Sequence, residues 1–307
     1  MATITDYFAQ AQLSMAAYAT LQSGMSGEDY PGYVTALVFR GMSDVQAKAF
    51  ANTYLVVDQY TDPLSGFSAT VFADSSGNKY FAIRGTETSV FSGAIDWLTN
   101  VADVGAEGIA IRQGIALFNY LQRLYGAPGQ AVVQYTYDPI TRTIGTTTSS
   151  ASGLLSGQVT PLSVTGHSLG GHLAMIMSRL APGLVSAVYT YNAPGFDTTL
   201  RTNRFPVTSE GFFSLLQNAP IGPITGPIGS AWNPGIMSHL DVAGDIVHTI
   251  GNTPGVPQII FSENANGGPV DAHDKVPLTD ALALYSLFAQ LDPALNTAAD
   301  GRSQITA

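Results

Sequence analysis

Residues 162–180 contain the feature that most constrains the fold, a tight glycine turn between a strand-like run and a helix-like run. The run Leu162–Thr165 is followed by Gly166-His-Ser-Leu-Gly-Gly171, and an apolar helical pattern continues from His172 to Leu180. The Gly-x-Ser-x-Gly pattern alone is weak evidence, because the chain contains 32 glycines. The strand–turn–helix setting predicts a nucleophile elbow, in which a strained turn exposes the hydroxyl of Ser168 at the carboxyl edge of a sheet. A glycine-rich turn with a capping serine is the alternative interpretation.

Strand-like and helix-like segments alternate along the chain, which predicts a largely parallel α/β sheet flanked by helices. The length of 307 residues fits one large domain, and we expect a single domain over residues 1–307. The predicted strands are 55–61, 67–73, 79–84, 131–137, 162–165, 185–191, 239–243 and 258–261; the predicted helices are 3–22, 43–54, 109–125, 172–180 and 278–291; residues 145–157 are predicted to form a loop.

The composition excludes several classes of protein. Charged residues make up 11% of the chain and the formal net charge is −10, whereas a nucleic-acid-binding protein needs a cationic face. The apolar content of 45% argues against disorder. The chain has no cysteine, which excludes disulfides, thiolate catalysis and Cys-ligated metal sites. No apolar run is long enough to predict a transmembrane segment, and the first basic residue is Arg40, so no basic N-terminal signal is expected.

A nucleophilic serine needs a base, because an unassisted hydroxyl reacts poorly at neutral pH. In elbow enzymes the acid and the base follow the serine in the order Ser, Asp or Glu, His. His273 lies in a glycine-rich loop before the last predicted helix, and we favour it as the base. His248 is the alternative, although it follows Asp245 so closely that one short loop would have to supply both groups. The other histidines, His167, His172 and His239, are expected to be structural.

The acid is expected at the end of a late strand, where a carboxylate can orient an imidazole. Asp245 follows the strand-like run 239–243 and a glycine turn, so it is the preferred candidate. Asp241, within that strand, and Asp197, after the strand that follows the elbow, are held in reserve.

Several motifs together resemble class 3 lipases, the family of the filamentous-fungal lipases. Arg84-Gly-Thr86 with Asp96-Trp-Leu98 is similar to the family's R-G-T/S and D-W-L signature, and Gly166–Gly171 matches its elbow. Tyr189–Gly195 and Gly244–Val247 are looser matches to the strand after the elbow and to the segment that bears the acid.

This resemblance implies an α/β-hydrolase fold with Ser168 as nucleophile, Asp245 as acid and His273 as base. It also implies an oxyanion hole made by the backbone N–H groups of Thr86 and Leu169. The Thr86 hydroxyl would add a third hydrogen bond and would be oriented by Asp96. The implied activity is carboxylic-ester hydrolysis, with a lipid or another ester as substrate and a lipid–water interface as a possible site of action.

The chain also resembles bacterial lipases that are exported with C-terminal calcium-binding repeats. They share the elbow and the R-G-T segment, and they too lack cysteine and an N-terminal signal. The resemblance implies secretion by a non-classical or C-terminal signal, with a cytoplasmic location left open. The chemistry requires no cofactor. A structural calcium ion is compatible with the Asp-containing loops, but no run of ligands is diagnostic of one.

The segment Gly211–Leu240 is a candidate lid or acyl-pocket insertion, because it carries no formal charge and prolines interrupt it. Its large apolar residues would then face an ester tail or a lipid surface: Phe212, Phe213, Leu215, Leu216, Ile221, Ile224, Ile228, Trp232 and Met237. An ordinary buried excursion is equally compatible with the pattern. Glu87–Ile95 and Ser23–Gly41 are further candidate covers.

Insoluble acylglycerols fit these features best. Phospholipids, polyesters and short-chain esters are the alternatives within the same chemistry. A hydrolase scaffold that binds lipid without turnover is the alternative from a different class, and transfer to an alcohol instead of water would use the same residues.

Overall fold

A seven-stranded sheet, in the order β1-β2-β3-β6-β7-β8-β9, dominates the computed structural model. The model describes residues 2–86, 109–138, 140–141, 143–197, 208–217, 228–263 and 268–293. The strands are β1 (Tyr54–Thr61), β2 (Ser68–Asp74), β3 (Lys79–Ile83), β4 (Ala131–Asp138), β5 (Thr143–Ser150), β6 (Leu162–His167), β7 (Val185–Tyr191), β8 (Met237–Val242) and β9 (Gln258–Ile260). Within this sheet, strands β1 to β3 are antiparallel, and the neighbouring strands β3, β6, β7, β8 and β9 are parallel.

This mostly parallel sheet, with the glycine turn directly after its central strand β6, has the architecture of the α/β-hydrolase fold. The predicted fold class is therefore confirmed. Parallel strands are covered on both faces, and β6 accordingly has five buried residues out of six. The turn after β6 consequently lies at the carboxyl edge of the sheet, in the middle of the molecule.

Helices cover both faces of the sheet, and the alternation of side chains along each strand assigns them to a face. In β3, Phe81 and Ile83 join the largest core cluster, while Ala82 joins a second cluster on the other face. The helices are α1 (Ile4–Ala16), α2 (Tyr33–Phe39), α3 (Asp44–Thr53), α4 (Ile111–Tyr125), α5 (Leu169–Leu180), α6 (Ser209–Gln217), α7 (Pro269–His273) and α8 (Lys275–Leu291). The largest cluster contains residues of α4, α5 and α6, and the second contains residues of α1, α2 and α3. None of the helices in the described parts of the chain is both long enough and apolar enough to cross a membrane.

Two of the predicted segments differ from the observed structure by more than three residues. The predicted loop 145–157 is wrong in its first part, because residues 143–150 form β5 and pair with β4 in a separate two-stranded sheet. The threonines of this segment favour an extended backbone, and the pairing satisfies its peptide groups. The helix predicted over 3–22 ends at Ala16, and beyond it the backbone N–H of Leu21 and the carbonyl of Ala19 bind the side chain of Gln59, at 2.8 and 2.9 Å, instead of continuing the helix.

The segment 211–240 contains parts of two regular elements. Residues 211–217 belong to α6, whose Phe212, Phe213 and Leu216 are buried in the largest core cluster, and residues 237–240 belong to β8. These parts match the ordinary buried interpretation of the segment. Residues 218–227 lie outside the described part of the chain, as do residues 87–95 of the second candidate cover.

Arg179, near the end of α5, connects α6 and the backbone at Gly229 to the core. Its side chain is only 1% exposed and binds both carboxylate oxygens of Glu210, at 2.7 and 2.6 Å. Its Nε donates to the carbonyl of Gly229 at 2.9 Å, and its guanidinium lies 4.1 Å from the ring centre of Phe213. One buried cation therefore holds α6 and the chain that leads to β8.

We predict that Glu210→Gln lowers the free energy of unfolding by about 0.5–1 kcal/mol in urea titrations, because the buried guanidinium of Arg179 loses its charged partner, while water already screens part of the interaction at the Glu210 side chain, which is 64% exposed. The hydrogen bond from Arg179 lowers the pKa of Glu210, so in the wild type this stabilisation is present at neutral pH and is lost as the pH falls through that pKa.

The exposed pair Asp44–Lys48, with a distance of 2.7 Å, provides the control. Asp44→Asn should leave the stability unchanged within error, because water screens both groups. An equal loss in the two variants would contradict the assignment of Arg179 as an anchor.

Candidate active site

Ser168 occupies a strained turn between β6 and α5, with φ 57° and ψ −132°. Its backbone N–H donates to the carbonyl of Tyr191 at 2.8 Å, which fixes the turn against β7. The surrounding glycines leave no space for side chains: a Cβ at Gly166 would collide with the backbone of Gly170, and a Cβ at Gly170 would collide with the carbonyl of Ile83. This is the geometry of a nucleophile elbow.

The hydroxyl of Ser168 lies at the positive end of a helix. Leu169 is the first residue of α5, and the first N–H groups of a helix have no partner within it. Ser168 is 1% exposed, and its Oγ makes no hydrogen bond with any residue in the described parts of the chain. The arrangement suits a hydroxyl that reacts with a carbonyl whose oxygen becomes negative beside the helix terminus.

His273 and Asp245 form a buried pair. The Nδ1 of His273 lies 2.9 Å from Oδ1 of Asp245, and both residues are 3% exposed. Asp245 follows β8 in a turn that Gly244 permits with φ 92°. Burial alone would raise the pKa of Asp245, but hydrogen bonds from His248 and His273 outweigh burial and hold that pKa below its ordinary value. The carboxylate is therefore ionised and can orient the imidazole of His273.

His273 was expected in a loop but is the last residue of the short helix α7, which is fixed to the elbow. The Nε2 of His167 lies 2.7 Å from the carbonyl oxygen of His273, and the two imidazole rings are 4.7 Å apart between centres. The amide of Asn192 donates to the carbonyl of Ala272 at 3.1 Å and accepts the N–H of Val242 at 2.8 Å. The structure thus brings the backbone of His273, which was selected from the sequence, to His167, the residue directly before Ser168, and Asp245 lies against His273.

Asn192 was not identified from the sequence. It has φ 49°, a conformation that asparagine adopts more readily than most residues, and it follows β7 directly. An asparagine between a buried strand and Ala193-Pro-Gly195 was the available signal for a special backbone position.

His248, the alternative base, also contacts Asp245. Its Nδ1 lies 3.3 Å from Oδ2, and its backbone N–H donates to the same oxygen at 3.2 Å. The hydrogen bond to Asp245 raises the pKa of His248. One short segment therefore does contain both a carboxylate and an imidazole. The two histidines bind different oxygens of Asp245: His248 contacts Oδ2, and His273 contacts Oδ1.

The reserve acids have other environments. Asp241 is buried in β8, and burial raises its pKa to about 7, so it is poorly suited to act as a permanent anion. Asp197 accepts the backbone N–H of Ser209 at 2.8 Å and its hydroxyl at 2.6 Å, at the start of α6. The carboxylate of Asp197 therefore binds the first residue of α6, where its contact is structural.

The buried side chains of His172 and His239 each connect two segments of the chain through hydrogen bonds. His172 accepts the N–H of Ala110 on Nε2 at 3.3 Å and contacts the carbonyl of Pro194 through Nδ1 at 3.2 Å; burial lowers its pKa to about 4. His239 lies between the hydroxyl of Thr190, at 2.7 Å, and the carbonyl of Pro254, at 2.8 Å.

Thr86, the predicted oxyanion residue, follows β3 at the same edge of the sheet as Ser168. Ile83 pairs with Gly166 in parallel register, and a Cβ built on Gly85 would lie 3.2 Å from the Cβ of Ser168. The backbone next to Thr86 is therefore in contact with the elbow. Asp96, the predicted partner of the Thr86 hydroxyl, lies outside the described residues.

In the described segments, no group of three or more His, Cys, Asp and Glu side chains has the arrangement of a metal site. A structural calcium ion stays a prediction.

The solved structures to which the chain is similar include three fungal lipases. Lip2 lipase from Yarrowia lipolytica is 14% identical, with a TM-score of 0.40 and coverage of 84% of this chain and 78% of that one. A triacylglycerol lipase from Penicillium expansum is 13% identical, with a TM-score of 0.39 and coverage of 85% and 81%. Lipase II from Rhizopus niveus is 17% identical, with a TM-score of 0.40 and coverage of 84% and 80%. No protein family model and no curated protein sequence matches the chain.

We predict that the pKa of His248, measured by NMR titration, lies above the ordinary histidine value in the wild type and falls in Asp245→Asn, because the hydrogen bond to the carboxylate favours the charged imidazole. His239 is the internal control. Burial lowers its pKa, and its partners Thr190 and Pro254 are unchanged in the variant. Equal His248 values in the two proteins would refute the contact.

Proposed function

We propose that this protein is a serine carboxylic-ester hydrolase that works through an acyl-enzyme, with Ser168 as nucleophile, His273 as base and Asp245 as acid. The observation that carries the proposal is the buried 2.9 Å contact between Asp245 and His273, which ends a helix, α7, that is hydrogen-bonded to the residue before the strained Ser168 turn. The three residues also follow the chain order Ser, Asp, His of elbow enzymes.

In the first half of the reaction, the Oγ of Ser168 attacks the ester carbonyl while Nε2 of His273 accepts its proton. The N–H groups of Thr86 and Leu169 donate to the oxyanion of the tetrahedral intermediate. His273 then gives the proton to the leaving alcohol, and the acyl group stays on Ser168. In the second half, water attacks the acyl-enzyme, His273 accepts its proton and returns it to Ser168, and the carboxylic acid leaves.

The charges favour this sequence of steps. Asp245 is held as an anion, so it stabilises the imidazolium that His273 becomes in each intermediate. Each oxyanion donor contributes a factor of about 10²–10³ to the rate in enzymes of this type. The elbow therefore supplies both the nucleophile and part of the electrostatic stabilisation.

For the substrate we propose water-insoluble acylglycerols. Two observations are compatible with an apolar substrate. The Oγ of Ser168 has no accessible surface, so part of the chain must move aside before an ester reaches it. Ile246, next to Asp245, is 37% exposed, and Val270, in the His273 helix, is 45% exposed, so apolar side chains reach the surface near two of the three residues. Secretion stays a prediction.

We expect the wild type to react with a fluorophosphonate probe and to hydrolyse long-chain p-nitrophenyl esters and emulsified triacylglycerol, and Ser168→Ala to do neither. Activity should rise when triacylglycerol exceeds its solubility, because an interface favours displacement of an apolar cover. A preference for soluble short-chain esters would make the protein an esterase. A wild type that binds lipid but neither reacts with the probe nor turns over would be the non-catalytic scaffold.

We expect His273→Ala to lower kcat by about 10²–10⁴, the contribution of a positioned base, and His248→Ala to lower it by less than about tenfold, since it removes one hydrogen bond to Asp245. Steady-state kinetics on one p-nitrophenyl ester compares the two matched variants. The reverse order of effects would assign the base to His248.

A further inference from the structure

The hydroxyl of Tyr18 lies between two segments of the candidate active site. Tyr18 is 4% exposed and follows α1. Its oxygen accepts the backbone N–H of Gly85 at 3.1 Å, directly before Thr86, and lies 3.1 Å from Nδ1 of His167, directly before Ser168. An N-terminal residue thus bridges the segment with the predicted oxyanion donor and the segment with the nucleophile.

The donors and acceptors of this cluster can be assigned from their partners. The carbonyl of His273 can only accept, so Nε2 of His167 carries the hydrogen in the 2.7 Å bond between them. Burial lowers the pKa of His167 far below its ordinary value, and the nearby His273 and Lys275 lower it further, so the ring is neutral. The Nδ1 of a neutral ring that is protonated on Nε2 accepts, and Tyr18 therefore donates its hydrogen to Nδ1.

The result is a continuous series of hydrogen bonds that connects three parts of the site. It runs from the Gly85 N–H to Tyr18, from the Tyr18 hydroxyl to His167, and from the His167 ring to the carbonyl of His273. Each polar atom in the series is matched to a partner of opposite type. The series reaches the backbone beside the oxyanion donor, the residue beside the nucleophile and the backbone of the base.

Two further contacts fix the position of Tyr18. Lys275, two residues after His273, places its ammonium 4.5 Å from the centre of the Tyr18 ring. The hydroxyl of Thr165 in β6 donates to the carbonyl of Gln10 at 3.0 Å, which holds α1 against the strand that leads to the elbow. The position of Tyr18 is therefore fixed by the contact of its ring with Lys275 and by the packing of α1 against β6.

The packing at Gly85 leaves little tolerance for displacement. A Cβ built there would lie 2.6 Å from the Tyr18 hydroxyl and 3.2 Å from the Cβ of Ser168. Oxyanion donors act over a narrow range of distances, and a displacement of about 1 Å can cost about 10²-fold in rate. The hydroxyl of Tyr18 occupies the position that sets how closely Gly85 approaches the elbow.

We propose that Tyr18 and His167 are positioning residues, which hold the Gly85–Thr86 backbone and the end of α7 at His273 in register with Ser168. This inference rests on the proposed ester hydrolysis. Neither residue touches the reacting atoms in the steps described above; both act through the backbone groups to which they bind.

The test compares Tyr18→Phe with Tyr33→Phe. Tyr33 is also buried, and its hydroxyl also makes a hydrogen bond, to the carbonyl of Tyr54 at 3.0 Å, but it lies in the cluster formed by α2 and α3. Both variants remove one buried hydroxyl from the N-terminal region. We expect Tyr18→Phe to lower kcat by about tenfold or more with KM changed by less than about twofold, since substrate binding is kept and the transition-state geometry is lost. Tyr33→Phe should leave kcat unchanged.

Two NMR measurements test the hydrogen bonds without relying on activity. The exchange of the Gly85 amide hydrogen should be about tenfold faster or more in Tyr18→Phe than in the wild type and in Tyr33→Phe, because its acceptor is removed. In the wild type, the ¹⁵N shifts of His167 should show a neutral ring with hydrogen on Nε2. This measurement needs no variant, so it applies even if Tyr18→Phe does not fold.

The outcomes separate the two proposals. Loss of kcat and faster Gly85 exchange in Tyr18→Phe alone support the positioning role. Unchanged kcat or Gly85 exchange in Tyr18→Phe, an equal loss of kcat in Tyr33→Phe, or a charged or Nδ1-protonated His167 would overturn it while ester hydrolysis by the wild type stands. A wild type without turnover or fluorophosphonate labelling would refute the proposed function, and the positioning role with it.

Discussion

The close approach of the glycine turn to strand β3 is the constraint on which the candidate active site depends. Side chains at Gly166 and Gly170 would overlap the backbone of the turn and of β3, so the segments touch through their peptide groups. This contact holds Ser168 at φ 57°, a conformation that a serine does not adopt without support from its surroundings. It also brings the end of β3 to the elbow. The same contact therefore determines the position of Ser168 and of the Gly85–Thr86 segment.

The charge state of each buried carboxylate in the site depends on the hydrogen bonds that it receives. Asp241 and Asp245 are both buried and are separated by one turn of chain. Asp245 receives hydrogen bonds from two histidines and from the backbone of Val247, and its pKa is lowered. The pKa of Asp241 is raised to about 7, chiefly by burial. Although both carboxylates are buried, only Asp245 has a lowered pKa. The carboxylate that stays ionised is therefore the one that contacts His273.

Much of this arrangement could be predicted from the sequence, because it follows from local rules. The strand–turn–helix pattern predicted the strained turn at Ser168, and Asp245 and His273, which were selected from the end of a late strand and from the segment before the last helix, lie 2.9 Å apart. The contacts of His167, His248 and Asn192 could not be predicted, since they join segments that are distant in sequence or depend on side-chain direction. Residues 143–150 show the limit of composition: serine and threonine suit both loops and strands, and pairing with β4 decides between them.

Helix α5 has a role at each of its ends. It begins immediately after Ser168, and Arg179 is its penultimate residue, about 15 Å away at 1.5 Å per residue. The same helix thus connects the strained turn to the contacts of Arg179 with Glu210, Gly229 and Ser230. Under the proposed ester hydrolysis, a substitution at those contacts that shifts the helix would change the rate, with every group that touches the substrate left unaltered.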